Sequence, residues 1–250
     1  MLRNNQTPMI QFSNKNIVYE DQNLIVIDKP AGLVVHPGAG LHDKTLVDWL
    51  VIKNPDIKNL DWPDPVRPGI VHRLDKDTSG LMMLAKNPQT LTRLQSLFQS
   101  HQVHKSYLAL VYGRFDKKTG EIKSLIGRNP NARREQVSRS IFFDFEPGKK
   151  REATTRYKIL KEYEYHGQTL SLIEANLDTG RTHQIRVQFK SIGHPVIGDR
   201  VYNTKHSRQI SKKLGLNRQF LHSYKLAFNN FKFKSQFPTE LNNVLKKLKS

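Results

Sequence analysis

Short apolar runs and alternating apolar and polar positions dominate the chain, and both patterns are typical of β-strands. In 105–114 the alternation places Tyr107 and Ala109 on one face of a predicted strand. Two later strands are long and are separated by a turn signal at His166 and Gly167. Together these patterns predict strands over residues 17–28, 69–74, 80–86, 105–114, 153–163, 168–177 and 220–233.

Helical periodicity is confined to shorter stretches, at residues 45–53, 88–100, 181–192 and 238–248. In the third of these, Ile185, Phe189 and Ile192 recur at i, i+4 and i+7, which predicts an apolar stripe facing the core. Strands outnumber helices and are joined partly by hairpins. We therefore expect an α+β fold with a mixed, largely antiparallel sheet flanked by helices.

Residues 115–150 are the least regular part of the chain and carry many cations with few apolar positions. This composition predicts a solvent-facing insertion that contacts an RNA backbone. For any single residue in the stretch, an ordinary charged surface loop fits equally well.

The whole chain is strongly basic, with 41 Lys and Arg against 22 Asp and Glu and a formal net charge of +19. Such a charge predicts attraction to polyanions, with a general contribution to solubility as the simpler alternative. The absence of cysteine excludes disulfides, thiolate metal sites and cysteine nucleophiles. No apolar run resembles a signal peptide or approaches the roughly 20 residues of a membrane helix, so we expect a cytoplasmic protein without a membrane partner.

The segment His72–Leu81 concentrates reactive side chains between two apolar strands. Two carboxylates, two cations, a histidine and two hydroxyls are an unfavourable composition beside buried strands unless they form a site. A surface turn capped by Asp77 and Thr78 is the simpler alternative. A phosphatase-type nucleophile of pattern D-x-D-x-T fits poorly, because the sequence reads D-K-D-T-S and offers no distal acidic pair for magnesium.

Three further segments combine turns with polar side chains. Residues 30–38 form a turn-rich stretch after the strand LIVIDK. Residues 177–186 pass from a strand into a helix, where exposed backbone amides and Arg181 together can hold an anion. The last segment joins a turn at 193–199 to residues 218–222, near the final strands.

These four segments, in this order, resemble the RluA/RluD family of pseudouridine synthases. The family motif H-R-L-D-x-x-T-S-G is matched from His72 to Gly80 without a departure. The stretch KPAGLVVHP, the K-x-Y-x-A-type strand around Tyr107, and the segments TGRTHQIR and GHPVIGD also match. The resemblance covers about residues 17–235 and implies an RNA-modifying isomerase with the pseudouridine synthase catalytic fold.

The resemblance implies three catalytic residues. Asp75 would act on the ribose of the target uridine, either as a nucleophile or as a base in a glycal-type route. Arg186 would be the fixed cation that keeps Asp75 ionised. Tyr107 would stack on the uracil and move the proton from carbon 5, whereas its alternative interpretation is a buried strand tyrosine.

The resemblance also implies a set of RNA-binding residues. Arg73 would fill the space left by the flipped uridine, since a guanidinium stacks on bases and pairs with phosphate. Leu221 would form an apolar wall of the base pocket, and His72, Arg181 and His183 complete the set. No metal or organic cofactor is expected, because the reaction involves neither net redox change nor hydrolysis.

The expected organisation is a short polar tail at 1–16 and a single catalytic domain at 17–250, without the small N-terminal RNA-binding domain of many family members. Target recognition would then come from the catalytic domain itself. Ribosomal and transfer RNA both fit as substrates. The sequence VVHPGAG resembles family members that act on large-subunit ribosomal RNA, which favours that substrate. We expect a monomer.

Two other functions stay open on sequence grounds. An RNA-binding or ribosome-assembly protein would keep the fold without the chemistry, although such a protein would need none of Asp75, Tyr107 and Arg186. A nucleoside hydrolase or base-releasing glycosylase would also place a carboxylate against a ribose. It would release free uracil, and a pseudouridine synthase would not.

Overall fold

The structure, a computed structural model, describes residues 12–37, 44–129, 132–139 and 150–249. The chain divides into two compact units, Met1–Ser96 and Leu97–Ser250, and the division falls inside a helix. Part of the predicted insertion at 115–150 lies outside the described residues, as does most of the predicted tail.

The N-terminal unit contains antiparallel strands that pair in chain order: β1 (Ile17–Glu20), β2 (Leu24–Lys29) and β3 (Ser79–Ala85). All seven residues of β3 are buried, which explains the continuous apolar run in its sequence. Helix α1 (Leu46–Lys53) begins at a capping box, in which Thr45 accepts a hydrogen bond from the Asp48 amide and donates one to the Asp48 carboxylate. Helix α2 (Pro88–Gln99) crosses into the next unit.

The C-terminal unit is built on antiparallel strands: β4 (His104–Tyr112), β5 (Thr119–Asn129), β6 (Ala132–Arg139), β7 (Arg151–Tyr165), β8 (Gln168–Leu177), β9 (Leu221–Phe228) and β10 (Phe231–Lys234). Their spatial order is β9-β4-β8-β7-β5-β6, with β10 also paired to β9. The helices are α3 (Gln184–Ser191), α4 (Lys205–Leu214) and α5 (Thr239–Lys247). The predicted α+β class, with a mixed and mostly antiparallel sheet flanked by helices, is confirmed.

A hydrophobic cluster packs α4 and α5 of the C-terminal unit beneath β4 and β8. Its fully or nearly fully buried members include Leu110, Leu170, Ile210, Leu214, Phe220, Leu241 and Val244. The cluster fixes α4 beside the turn at 193–199, because Ile197 belongs to the same cluster.

Five local predictions were wrong. Residues 17–28 form two strands of a hairpin, and 220–233 likewise divides into β9 and β10. Residues 69–74 contribute only an isolated bridge at Ile70, because Gly69 turns the backbone at a φ of 72°. The stretch 115–150 contains the β5–β6 hairpin rather than an irregular loop. Ile192 follows α3 as its C-cap and is 41% exposed, so it lies outside the core stripe.

Candidate active site

The loop that carries Asp75 lies between the bridge at Ile70 and strand β3 of the N-terminal unit. It closes as a tight turn, since the Thr78 amide donates to the Asp75 carbonyl oxygen at 3.1 Å. Asp75 is partly buried, whereas Arg73 is exposed. The turn therefore presents a carboxylate and a guanidinium two residues apart at the start of a buried strand.

Lys29, the last residue of β2, holds this loop in place through hydrogen bonds to its backbone. Its side chain is fully buried, and Nζ donates to the carbonyl oxygens of Pro30, Leu33 and Lys76 at 2.9, 3.0 and 3.0 Å. The Gly32 amide donates to the same Lys76 carbonyl at 2.8 Å. A buried ammonium is costly unless its hydrogen bonds are made, so these carbonyls must stay close together. Because Lys76 directly follows Asp75, the arrangement fixes the backbone at the candidate catalytic residue.

His36 and Arg73 meet in the same unit. Arg73 Nη1 lies 3.1 Å from His36 Nε2, and His36 Nδ1 lies 2.8 Å from the Pro37 carbonyl oxygen. Burial lowers the pKa of His36 below its usual 6.5, and the nearby Arg73 and Arg67 lower it further. His36 is therefore neutral in the folded protein near pH 7.

His72 points back into the sheet. Its Nε2 accepts a hydrogen bond from the Met83 amide of β3 at 3.1 Å, and the side chain is half-buried. This contact anchors the start of the H-R-L-D segment. The predicted role of His72 in RNA binding stays a prediction.

Tyr107 and Leu221 lie on neighbouring strands of the C-terminal unit. Tyr107 pairs with Ala175 of β8 and with Ser223 of β9, next to a register shift at Ser106. Such an irregularity often re-aims a side chain. Tyr107 is 7% exposed and Leu221 is 4% exposed, which gives both positions the sheltered environment that a base pocket needs. Their predicted contacts with a uracil stay predictions.

Arg186 of α3 forms a buried, two-pronged ion pair with Asp199. Arg186 Nε lies 2.7 Å from Asp199 Oδ2 and Nη2 lies 3.0 Å from Oδ1, with side-chain exposures of 7% and 0%. Burial would raise the pKa of Asp199, but the hydrogen bonds and charge of Arg186 and two backbone amides outweigh it and lower the pKa. Asp199 is therefore the carboxylate that holds Arg186 in place.

Tyr202 connects Arg186 to His183, the N-cap of α3, and to strand β6. The Arg186 guanidinium lies 5.1 Å from the centre of the Tyr202 ring, and the Tyr202 hydroxyl lies 3.0 Å from His183 Nδ1. The same hydroxyl accepts a hydrogen bond from the Gln136 amide of β6 at 2.6 Å. Burial raises the pKa of Tyr202 to about 12, so it stays a neutral hydroxyl. His183 and Arg186, both predicted site residues, thus share one buried tyrosine.

Arg181 lies just before α3, which begins at Gln184 rather than at residue 181. The Arg181 amide donates to Gln184 Oε1 at 3.0 Å, and Arg181 Nε donates to the Glu152 carbonyl oxygen at 3.1 Å. The turn therefore uses at least one of the amides that the sequence offered to an anion. Anion binding by Arg181 stays a prediction.

A cavity of about 400 Å³ opens beside Asp199 in the C-terminal unit. Its lining includes the cations Arg200, Arg208 and Lys212. Asn203 Oδ1 accepts hydrogen bonds from Arg208 Nε at 3.1 Å and Nη2 at 2.8 Å, which orients that guanidinium. Since the Asp199 carboxylate is buried and paired, the exposed wall of this cavity is positively charged.

The region that resembles known proteins includes the candidate site residues Asp75, Tyr107 and Arg186. The model of the RNA pseudouridylate synthase family matches residues 23–191. The chain belongs to this family. An uncharacterized RNA pseudouridine synthase of Aquifex aeolicus is 43% identical over 215 residues, which are 85% of this chain and 64% of that protein.

Other pseudouridine synthases extend the comparison. The ribosomal large subunit pseudouridine synthase D of Borreliella burgdorferi is 40% identical over 228 residues, covering 89% of this chain and 65% of that protein. The chain thus spans slightly less than two thirds of the length of these relatives. The solved structure of human RNA pseudouridylate synthase domain containing 4 aligns with a TM-score of 0.72 at 25% identity, over 94% of this chain and 93% of that one. This agreement confirms the pseudouridine synthase fold.

Within residues 12–37, 44–129, 132–139 and 150–249, no group of three or more His, Asp or Glu is arranged to hold a metal ion. No helix in the same ranges is both long and apolar enough to cross a membrane.

Sequence reasoning placed Lys29, His36 and Asp199 inside segments shared with the pseudouridine synthase family but gave them no role. The signal for Lys29 was a cation that ends an apolar strand. The signal for Asp199 was a carboxylate after a turn glycine. Neither signal identifies a partner, because each contact joins residues of different elements.

Proposed function

We propose that the chain converts uridine to pseudouridine in RNA, acting in the cytoplasm on large-subunit ribosomal RNA rather than on transfer RNA. The match to the RNA pseudouridylate synthase family over residues 23–191 carries the proposal. Relatives named ribosomal large subunit pseudouridine synthase D support the choice of RNA. The unbroken motif from His72 to Gly80, on a loop that Lys29 fastens, supports catalytic competence.

The proposed reaction exchanges one glycosidic bond for another. The bond between uracil N1 and ribose C1′ breaks, the base turns, and a bond forms between C5 and C1′. C5 loses its proton and N1 gains one, so the reaction needs no oxidant or reductant. Asp75 either attacks C1′ or removes a proton from the ribose, and both routes require an ionised carboxylate sheltered from water.

Tyr107 and Arg186 are the proposed partners of Asp75. The ring of Tyr107 would stack on the turning base, and its hydroxyl would carry the C5 proton. A guanidinium has five N–H donors, and Asp199 accepts from two of its nitrogens, so the Asp199 pair does not exclude Asp75 as a second acceptor. The pairing of Arg186 with Asp75 remains a prediction.

The deciding experiment is tritium release from ribosomal and transfer RNA labelled at carbon 5 of uridine, taken from cells that lack the enzyme. We expect wild type to release tritium from large-subunit ribosomal RNA without free uracil. Asp75→Asn should lose activity by several orders of magnitude, because the amide can neither attack nor accept a proton, yet bind RNA as before. Asp77→Asn, a carboxylate of the same loop, is the matched control and should stay active.

Other outcomes would select another function. Tritium release by Asp75→Asn at the wild-type rate would remove Asp75 from the chemistry. Free uracil would identify a hydrolase or glycosylase. Tight RNA binding with no tritium release from either pool would favour an assembly factor.

A further inference from the structure

The hydrogen bonds of His36 determine which of its ring nitrogens carries the proton. Arginine has donors but no acceptor, so the 3.1 Å contact requires His36 Nε2 to accept from Arg73 Nη1. The proton of the neutral ring then lies on Nδ1, which donates to the Pro37 carbonyl oxygen at 2.8 Å. Both contacts are satisfied by a single tautomer, and neither is satisfied by the other one.

In the contact between His36 and Arg73, a buried residue orients an exposed one. His36 is 8% exposed and belongs to the packed interior, whereas the Arg73 side chain is exposed. An exposed arginine side chain loses rotamer entropy when it is fixed in one conformation. The hydrogen bond to buried His36 restricts the Arg73 side chain before RNA binds, so less of that entropy is lost on binding.

We infer that His36 is a positioning residue that orients Arg73 to enter the RNA stack when the target uridine leaves it, and that only neutral His36 can do so. This inference rests on the proposed function, in which Arg73 occupies the space of the flipped base. Protonation places a hydrogen on Nε2, which turns the acceptor into a second cation facing the guanidinium. The contact then becomes repulsive and Arg73 is released.

Burial and the groups around His36 set the pH at which this change occurs. Burial has the largest effect and opposes protonation, as do the charges of Arg73 and Arg67, whereas the hydrogen bond to Pro37 and the charge of Asp64 favour it. The balance lowers the pKa of His36 below 6.5. Arg73 is therefore held throughout the neutral range and released only in acid.

Two amide substitutions separate the two hydrogen bonds of His36. In His36→Gln the amide oxygen reaches the position of Nε2 and can accept from Arg73, but the side chain does not titrate. In His36→Asn the amide reaches the position of Nδ1 and can bind Pro37, but it leaves Arg73 without this acceptor. His104→Gln, at an exposed histidine, is the control for the loss of a titrating ring.

The readout is kcat/KM against pH, from 5 to 8, for tritium release from a labelled transcript of large-subunit ribosomal RNA. We expect kcat/KM of His36→Asn to fall about 10- to 100-fold at neutral pH, because a small misplacement of a residue that positions the substrate can have an effect of this size. His36→Gln should keep most of the wild-type kcat/KM at neutral pH. Its kcat/KM should not fall below pH 6.5, whereas that of wild type and His104→Gln should. Full activity in His36→Asn, or an unchanged acid decline in His36→Gln, would overturn the inference.

A second measurement does not depend on turnover. Nitrogen-15 NMR of the histidine rings in the free protein should show His36 protonated on Nδ1 and unprotonated on Nε2 at pH 8, and Arg73→Ala should raise the His36 pKa. The opposite tautomer in the wild-type protein, which needs no variant, or an unchanged His36 pKa in folded Arg73→Ala, would overturn the inference. If the NMR result holds and wild type releases no tritium, the proposed function is wrong while the contact between His36 and Arg73 stands.

Discussion

At the scale of single residues, the buried cations Lys29 and Arg186 are held at the candidate site by different partners. Lys29 is satisfied by carbonyl oxygens of the backbone, and Arg186 is satisfied by the carboxylate of Asp199. The first arrangement fixes a loop, and the second fixes a side chain. In both cases the cost of stranding a buried charge makes the geometry rigid.

The Arg186 pair gives a stability prediction. Arg186→Ala leaves Asp199 buried and ionised without its partner, so the free energy of unfolding should fall by about 3–5 kcal/mol in urea at pH 7. Asp199→Asn keeps an oxygen for the amides of Val201 and Tyr202. The double variant Arg186→Met/Asp199→Asn should therefore be more stable than Arg186→Ala. If the double variant is the less stable one, the stranded carboxylate is not the cause.

The same pair predicts how stability depends on acid. The folded pKa of Asp199 is below the usual 3.8, so its contribution is complete above pH 3.8 and is lost as pH falls through the folded pKa. Urea unfolding between pH 5 and pH 2 should show a steeper loss for wild type than for Asp199→Asn. Parallel curves would mean that Asp199 does not titrate differently on folding.

At the scale of elements, Tyr202 joins the β5–β6 hairpin to α3. Tyr202→Phe removes the acceptor of the Gln136 amide and the partner of His183, which should cost about 1 kcal/mol of stability. Hydrogen exchange should quicken at Gln136 and its neighbours in β6 more than in β8. Tyr165→Phe, at the end of β7, also removes a tyrosine hydroxyl but at a different position, and it should leave hydrogen exchange in β6 unchanged. Equal effects of the two variants would show that Tyr202 does not tether the hairpin.

Elements were predictable from the sequence where burial gives the chain a pattern. Strands β3, β4 and β8 match their predicted bounds within one or two residues, because their apolar positions are continuous or alternate. Helix α4 was missed because its apolar residues, such as Ile210 and Leu214, are few among polar ones. The β5–β6 hairpin was missed because its sequence is rich in charge, and its strands are recognised only by their pairing.

For the candidate site, the sequence predicted which residues matter but not the contacts that hold them in place. Residue identity and order were enough to single out the Asp75 loop and the Arg186 helix. The contacts that fix them, from Lys29 to Lys76 and from Asp199 to Arg186, depend on how a strand or a helix packs against a loop. Sequence spacing alone carries no such information, which is why the positioning residues were found only in the structure.

At the scale of the whole molecule, the net charge of +19 predicts RNA binding that weakens steeply with salt. Each cation that contacts a phosphate contributes about 0.7 to 0.9 to the slope of log affinity against log salt. The cavity beside Asp199 presents Arg208 and Lys212 on one wall, so we expect both to contact phosphate. If only the total charge matters, Lys212 and Lys213 should contribute equally to the salt slope. If the cavity binds phosphate, Lys212 should contribute more.

The paired variant Arg208→Ala/Lys212→Ala should lower RNA affinity several-fold and reduce the salt slope by about 1 to 2, measured by filter binding with labelled large-subunit ribosomal RNA. Lys213→Ala removes a cation one residue further along α4, on a side of the helix that does not line the cavity. It should reduce the slope much less than Lys212→Ala alone. If Lys212→Ala and Lys213→Ala have the same effect, RNA responds to the total charge of the surface, and the cavity has no part in holding the backbone.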